Sequence, residues 1–125
     1  MAEIAVIGAT GQLGNDLCRE LNSVGLVRLT HSDIEVADMD SVKKTLEKYQ
    51  VNVVINTAAF HRIDDCEMDS DKAFRVNASG AGNVAVAAQG LGAKLVHMST
   101  DYVFGGETES RTVPYTEFDA PVPLS

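Results

Sequence analysis

Chemistry in this sequence has two places to happen, and both follow short apolar runs. The first is Gly8-Ala9-Thr10-Gly11-Gln12-Leu13-Gly14, directly after Ile4-Ala5-Val6-Ile7, with Leu13, Leu17, Cys18 and Leu21 recurring at helical spacing. A glycine-rich turn from strand to helix can hold an anion, because the first amides of a helix lack intrahelical partners and its dipole is positive at that end. Gly8 allows the tight turn, Gly11 lets a pyrophosphate approach the backbone, and Gly14 permits close helix packing. A turn without a ligand is the plainer alternative. The strand before, the helix after and the repeated β/α pattern downstream favour a dinucleotide. The second place is Ser99-Thr100-Asp101-Tyr102, after the run Lys94-Leu95-Val96-His97-Met98.

The elements that must position these residues are legible as a β/α repeat. Leu26 to Leu29 reads as a second strand, and Val53-Val54-Ile55-Asn56 as a third. Asp38 and Asp40 stand where an N-cap and first turn belong, ahead of Val42, Leu46 and Tyr49 on one helical face. Asp69 or Ser70 can cap a long helix whose inner line runs Ala73, Asn77, Gly80, Val84 and Ala87 and which stops at Gly90 or Gly92. Lys94 to Met98 is the fourth strand, and Gly105, Gly106, Pro114, Pro121 and Pro123 mark irregular chain after it. Strands apolar on both faces and separated by helices require a doubly wound parallel α/β sheet, a Rossmann fold. Its ligand crevice lies beyond the carboxyl ends of the strands, where Gly8, Thr57 to Phe60 and Ser99 to Tyr102 all fall.

Composition narrows the rest. A chain of 125 residues, 45% hydrophobic, can bury one core, so a single domain spanning 1–125 is expected. A net charge of -8, with scattered Lys and Arg, argues against nucleic acid as a partner. Met1-Ala2-Glu3 carries no basic leader and no apolar run reaches membrane-spanning length, so a cytoplasmic protein without membrane association is expected. Cys18 and Cys66 lack metal-binding spacing, and His31, His61 and His97 form no cluster; two free thiols and no metal are the reading. Asn77 must find hydrogen bonds on an apolar helix face.

Several motifs, taken in order, go further. Asn56-Thr57-Ala58-Ala59, Ile63-Asp64-Asp65-Cys66-Glu67, Val76-Asn77-Ala78, Ser99-Thr100-Asp101-Tyr102-Val103-Phe104, Pro114-Tyr115-Thr116-Glu117 and Pro121-Val122-Pro123-Leu124 cover nearly the whole chain. Together with the Gly8-x-x-Gly11-x-x-Gly14 spacing they resemble the dTDP-4-dehydrorhamnose reductase family of extended short-chain dehydrogenase/reductases. A non-catalytic branch, the regulatory subunit of methionine adenosyltransferase, shares several of them. Epimerases and dehydratases of the extended group are a third option.

The resemblance implies hydride transfer from NAD(P)H to a 4-keto nucleotide sugar, with a Tyr as proton donor, a Lys lowering its pKa, and a Ser or Thr orienting the carbonyl. It implies cofactor contacts at Gly8, Thr10, Gly11, Gln12, Leu13, Gly14, Glu35, Val36, Ala58, Ala59, Asn77 and Ser99. It makes Thr100 the catalytic hydroxyl, with Asp101 and Tyr102 as substrate contacts; the alternatives are a strand terminus satisfying backbone groups at Thr100 and plain packing at Tyr102. Asn77 is either the tie between its helix and the cofactor loop or an ordinary buried Asn. The family's Tyr-x-x-x-Lys follows Pro-x-Pro-Leu, and no Tyr here has a Lys four positions later, so Tyr49, Tyr102 and Tyr115 offer no substitute. The expectation is a Rossmann domain cut short before that dyad and the substrate domain, and inactive alone. Thr30-His31-Ser32 ends the second strand without the acid of an NAD-specific site, Asp33 and Glu35 coming slightly late, which leans toward NADP over NAD. His31 is assigned to a solvated loop, and Arg62 either to a phosphate or to solvent. Self-association is left open.

Overall fold

The computed structural model describes residues 3–22 and 25–125; the Met1-Ala2 start falls outside them. Four strands, β1 (Ile4–Ile7), β2 (Leu26–Leu29), β3 (Val53–Asn56) and β4 (Lys94–His97), form one parallel sheet in the order β2-β1-β3-β4. The register aligns Ile7 with Leu29 and Asn56, and Asn56 with His97, so all four strands end level. Chain direction across the sheet reverses at β1, which puts the switch point, and hence the crevice, between the ends of β1 and β3.

Alternation along β1 splits the core in two. Ala5 and Ile7 face a layer built with Leu29, Val54, Val42, Leu46, Val84 and Ala88, whose helical members come from α2 (Met39–Tyr49) and α5 (Ala81–Gly90). Val6 and Ala9 face Cys18 of α1 (Gln12–Glu20) on the other side, together with Ile4, Leu26 and Ile55. Helices therefore lie on both faces of the sheet, as the repeat requires. Leu46 and Val42 are fully buried, and truncating such a leucine costs about 2–5 kcal/mol. The carboxylate of Asp38 caps α2 by accepting from the amides of Asp40 and Ser41 at 3.0 and 3.4 Å.

Four expectations need correction. The β4 strand is not covered on both faces: Val96 and Met98 are exposed, because only α1 lies on that side of the described sheet and it sits over β1. Leu13 is exposed at the start of α1, ahead of the turn that reaches the sheet. A short helix α3 (Ile63–Met68) precedes the long one; none of its residues is buried, so no apolar period announced it. The long helix itself is α4 (Ser70–Phe74), a π turn (Arg75–Gly80) and α5 in one continuous run. The π turn closes with wider i to i+5 bonds, which puts Val76 in place of Asn77 on the inner line between Ala73 and Gly80 and leaves Asn77 exposed.

Candidate functional site

Where β1 ends, Gly8 takes φ +82°, a left-handed conformation that glycine adopts without strain. Its amide donates to Leu29 O at 3.0 Å, and Gly11 donates back to Gly8 O at 3.0 Å, which closes the turn. From β3, the Thr57 hydroxyl donates to Ile7 O at 2.7 Å and pins the turn to the neighbouring strand. A Cβ on Gly14 would stand 2.0 Å from Gly8 O, so α1 lies against the turn at a distance only glycine allows. A Cβ on Gly11 would meet only Gly8 O, at 3.4 Å, and the outer side of the turn is open.

The start of α1 contrasts with that of α2. Gly11 is its N-cap, no side chain caps it, and no acid occupies its first turn. Thus Gln12, Leu13 and Gly14 present amides at the positive end of the helix without a carboxylate to answer them. A diphosphate fits this end in charge and in space.

Beyond the turn opens a cleft of about 300 Å³. Of the anticipated residues, Gly8, Thr10, Glu35, Val36, Ala58 and Ala59 line it. Thr57 and Phe60, placed at the crevice by the strand order, and Thr30, at the end of β2, line it too, and His31 does so while remaining solvent-exposed; sequence reasoning missed Ile34, Lys72 and Val76. At the end of β2 the Asp33 carboxylate folds back to accept from the Thr30 amide at 2.8 Å and hydroxyl at 2.7 Å. Those two bonds, the amide's foremost, lower the Asp33 pKa and commit the carboxylate to the turn. Glu35 accepts from the Ala37 amide through Oε1 and lies 3.6 Å from His31 Nε2 through Oε2.

A second crevice of about 430 Å³ opens beyond β3 and β4. Asn77, Ser99, Thr100 and Tyr102 line it, as do His61, His97 and Cys66. Ala58, Ala59 and Phe60 belong to both crevices and form the sill between them. Asn77 fixes that sill: its Oδ1 accepts from the Phe60 amide at 2.9 Å and its Nδ2 donates to Phe60 O at 2.7 Å. The Asn77 side chain therefore ties helix to loop, from an exposed position and not as a buried Asn. Thr100 Oγ1 accepts from the Tyr102 amide at 3.2 Å, which orients the hydroxyl and leaves its proton free to donate. Gly11, Gln12, Leu13, Gly14 and Asp101 line neither crevice; the first four form the turn and helix start just described. Arg62 pairs with Asp65 at 3.3 Å.

The last stretch has no regular structure beyond a 3₁₀ turn at Asp101–Val103, yet it is ordered by its own bonds. Phe104 and Tyr115 stack at 4.4 Å, with the Arg111 guanidinium 4.0 Å from the Tyr115 ring centroid. Tyr115 donates its hydroxyl to Glu107 at 2.9 Å, which raises the Tyr115 pKa and makes it a poorer acid. Both cysteines are free thiols, and no metal-like group of His, Cys, Asp and Glu occurs among the described residues. Among the described residues, no helix is long and apolar enough to cross a membrane.

Comparison with known proteins gives this geometry relatives. The family model described as "RmlD substrate binding domain" matches residues 1–125. The spore coat polysaccharide biosynthesis protein SpsK of Bacillus subtilis is 43% identical over 121 residues, 95% of this chain and 42% of that protein. A dTDP-4-dehydrorhamnose reductase from Bacillus anthracis, solved in complex with NADP, superposes with a TM-score of 0.89 at 38% identity, covering 99% of this chain and 44% of that one. Methionine adenosyltransferase 2 subunit beta of Rattus norvegicus is 33% identical over 131 residues, 98% of this chain and 38% of that protein. The chain thus spans less than half the length of each.

Proposed function

The chain belongs to the family described as RmlD substrate binding domain, and on that premise we propose that it forms the dinucleotide-binding part of an NAD(P)H-dependent reductase of 4-keto nucleotide sugars. The observation that carries this reading is the shared sill. Ala58, Ala59 and Phe60 border both crevices, so a ligand that leaves the glycine turn along this sill reaches the crevice that Thr100 lines. That is the span a dinucleotide needs when its reactive end must meet a substrate carbonyl. Residues 1–125 act here as one Rossmann unit.

Each part then has a task. The amides of Gln12, Leu13 and Gly14, with Gly8, Thr10 and Gly11 around them, hold the diphosphate. Glu35 and Val36 flank the adenosine, while Ala58, Ala59 and Ser99 line the way to the reacting end, with Asn77 holding the sill in place. The strand β2 leads into Thr30 and His31 with no acid at the ribose position, and Asp33 turns its Oδ2 back onto Thr30, which favours NADP(H). The bound nicotinamide dinucleotide supplies the hydride. As negative charge grows on the substrate oxygen, the Thr100 hydroxyl, already pinned by the Tyr102 amide, donates to it, and Tyr102, which lines the same crevice, contacts the sugar; Asp101, assigned there by the resemblance, does not line it. Proton delivery falls to a group outside these 125 residues, since Tyr115 is held by Glu107 and no Tyr has a Lys four positions on.

Calorimetric titration with NADPH tests the reading. Wild type should bind and Gly11→Val, with a branched side chain on the phosphate path, should not; equal affinities would refute it. In a longer protein that carries the missing dyad, Thr100→Val should lower turnover of a dTDP-4-keto sugar about a hundredfold. The adenosyltransferase beta-subunit relative supports a second, regulatory reading, in which dinucleotide binds but no sugar is reduced. Turnover by the longer protein decides between the two.

A further inference from the structure

Lys72 belongs to none of the motifs, yet α4 delivers it to the wall of the first cleft beside Phe60, across from Thr30, His31 and Glu35. Its ammonium lies 4.5 Å from the centroid of the Phe60 ring. A ring face holds a cation there at modest gain, and Asn77 in turn fixes the Phe60 peptide from both sides. The position of the charge is therefore set by two linked contacts.

What the charge lacks is a counterion. The sequence has 18 acids against 10 Lys and Arg, and Arg19, Arg62 and Arg111 each pair with a carboxylate. Among the described residues no carboxylate comes within ion-pair distance of Lys72. Asp69, one turn back, accepts from the Lys72 backbone amide at 3.0 Å instead. Glu35, the acid of the cleft, divides its oxygens between the Ala37 amide and His31. Among the described residues, other Lys and Arg side chains also go without an ion pair, but Lys72 is the only Lys or Arg that lines the first cleft, which Gly8 and Thr10 of the glycine turn line as well. Such a charge is matched by an anion in the cleft.

We propose that Lys72 is a phosphate-binding residue of this cleft, its ammonium engaging a phosphate on the adenosine half of the dinucleotide. The inference rests on the dinucleotide reading above. Two phosphates carry the required chemistry: a 2′-phosphate, on the Thr30 and His31 side, and the pyrophosphate, on the Gly8 and Thr10 side.

The test is titration of the chain and its Lys72→Gln and Lys72→Arg variants with NADPH and with NADH at low and moderate salt, after circular dichroism confirms the fold. Lys72→Gln should bind about tenfold more weakly and with a shallower salt dependence, while Lys72→Arg keeps affinity within about threefold of wild type. A loss confined to NADPH assigns the 2′-phosphate; an equal loss with NADH assigns the pyrophosphate. Unchanged affinity and salt dependence for both cofactors would overturn the role of Lys72 while leaving dinucleotide binding intact. Failure of wild type to bind either cofactor would overturn both.

Discussion

Two glycines on helices invite the same substitution and should answer with opposite signs. Gly82 lies in α5, and a Cβ placed there would have nothing within 4 Å, so Gly82→Ala adds only helix propensity, worth about 1 kcal/mol. Gly14 lies in α1, where the added Cβ would stand 2.0 Å from Gly8 O, 2.8 Å from Gly8 C and 2.9 Å from Thr57 Oγ1. Two of those atoms are backbone, and the closest is a full ångström inside the 3.0 Å that real contacts respect. No rotamer change relieves this, so either the turn or the helix must move. Overpacking of this kind costs about 1–3 kcal/mol, and the absence of a yielding side chain puts Gly14→Ala at the upper end. Subtracting the propensity gain leaves a net loss of about 2 kcal/mol. At about 3–4 °C per kcal/mol for a domain of this size, Gly14→Ala should melt about 6–8 °C below wild type and Gly82→Ala about 3 °C above it. Parallel thermal melts followed by circular dichroism measure both. A Gly14→Ala variant that melts at or above wild type would refute the claim that α1 is seated on the turn through that glycine.

Asn77→Ala removes both bonds to the Phe60 peptide, at about 1 kcal/mol each, so the melting point should drop by roughly 6–8 °C and the Phe60 amide should exchange faster; unchanged exchange would mean the sill is held by something else. Asp38→Ala removes the α2 cap and should cost about 1 kcal/mol, read from denaturant midpoints, whereas Asp38→Asn should recover most of it. The terminal stretch should be ordered only in a pH window. Glu107, through its own amide and then the Tyr115 hydroxyl, and Asp119, through the Thr116 amide and then Arg111, have lowered pKa values. Their support is complete above the unfolded carboxylate range near pH 4 and fades as pH falls through the lowered values. Tyr115, raised, contributes below about pH 10 and loses its bond as pH rises through its folded value. Proton chemical shifts of the stacked Phe104 and Tyr115 rings should therefore change at both ends and stay flat between; a profile flat throughout would remove these groups from the ordering of the loop.

Some of this could be read from the sequence because the signals are local. Ile4–Ile7, Leu26–Leu29 and Val53–Asn56 are apolar runs bounded by turn residues, and the strands begin and end on them; Asp38 caps α2 because an acid ahead of a periodic stretch has two amides to bind. The glycine turn is legible for the same reason. Other features depend on register or on distance. A π turn has no residue signature, and it rotates Asn77 out of the line that α-helical spacing assigns it. Leu13 and Val96 are apolar yet exposed, because burial depends on which neighbour covers a face and not on the residue alone. Thr57, Phe60, Lys72 and Val76 meet Thr30 and Ile34 in one cleft only because the sheet sets β2 and β3 on either side of β1. No pattern within a window of a few residues encodes that meeting.

The uncapped start of α1 ties folding to occupancy. α2 brings its own carboxylate to its first amides, so its stability is the same whether or not a small molecule is present. α1 has no such side-chain cap, and on the dinucleotide reading proposed above a phosphate takes that place. A phosphate that docks there completes the helix, and the free energy of binding becomes part of the free energy of folding: at a hundredfold excess over its dissociation constant, a ligand adds about 2.7 kcal/mol. If the dinucleotide reading holds, the melting point of this chain should rise with NADPH concentration.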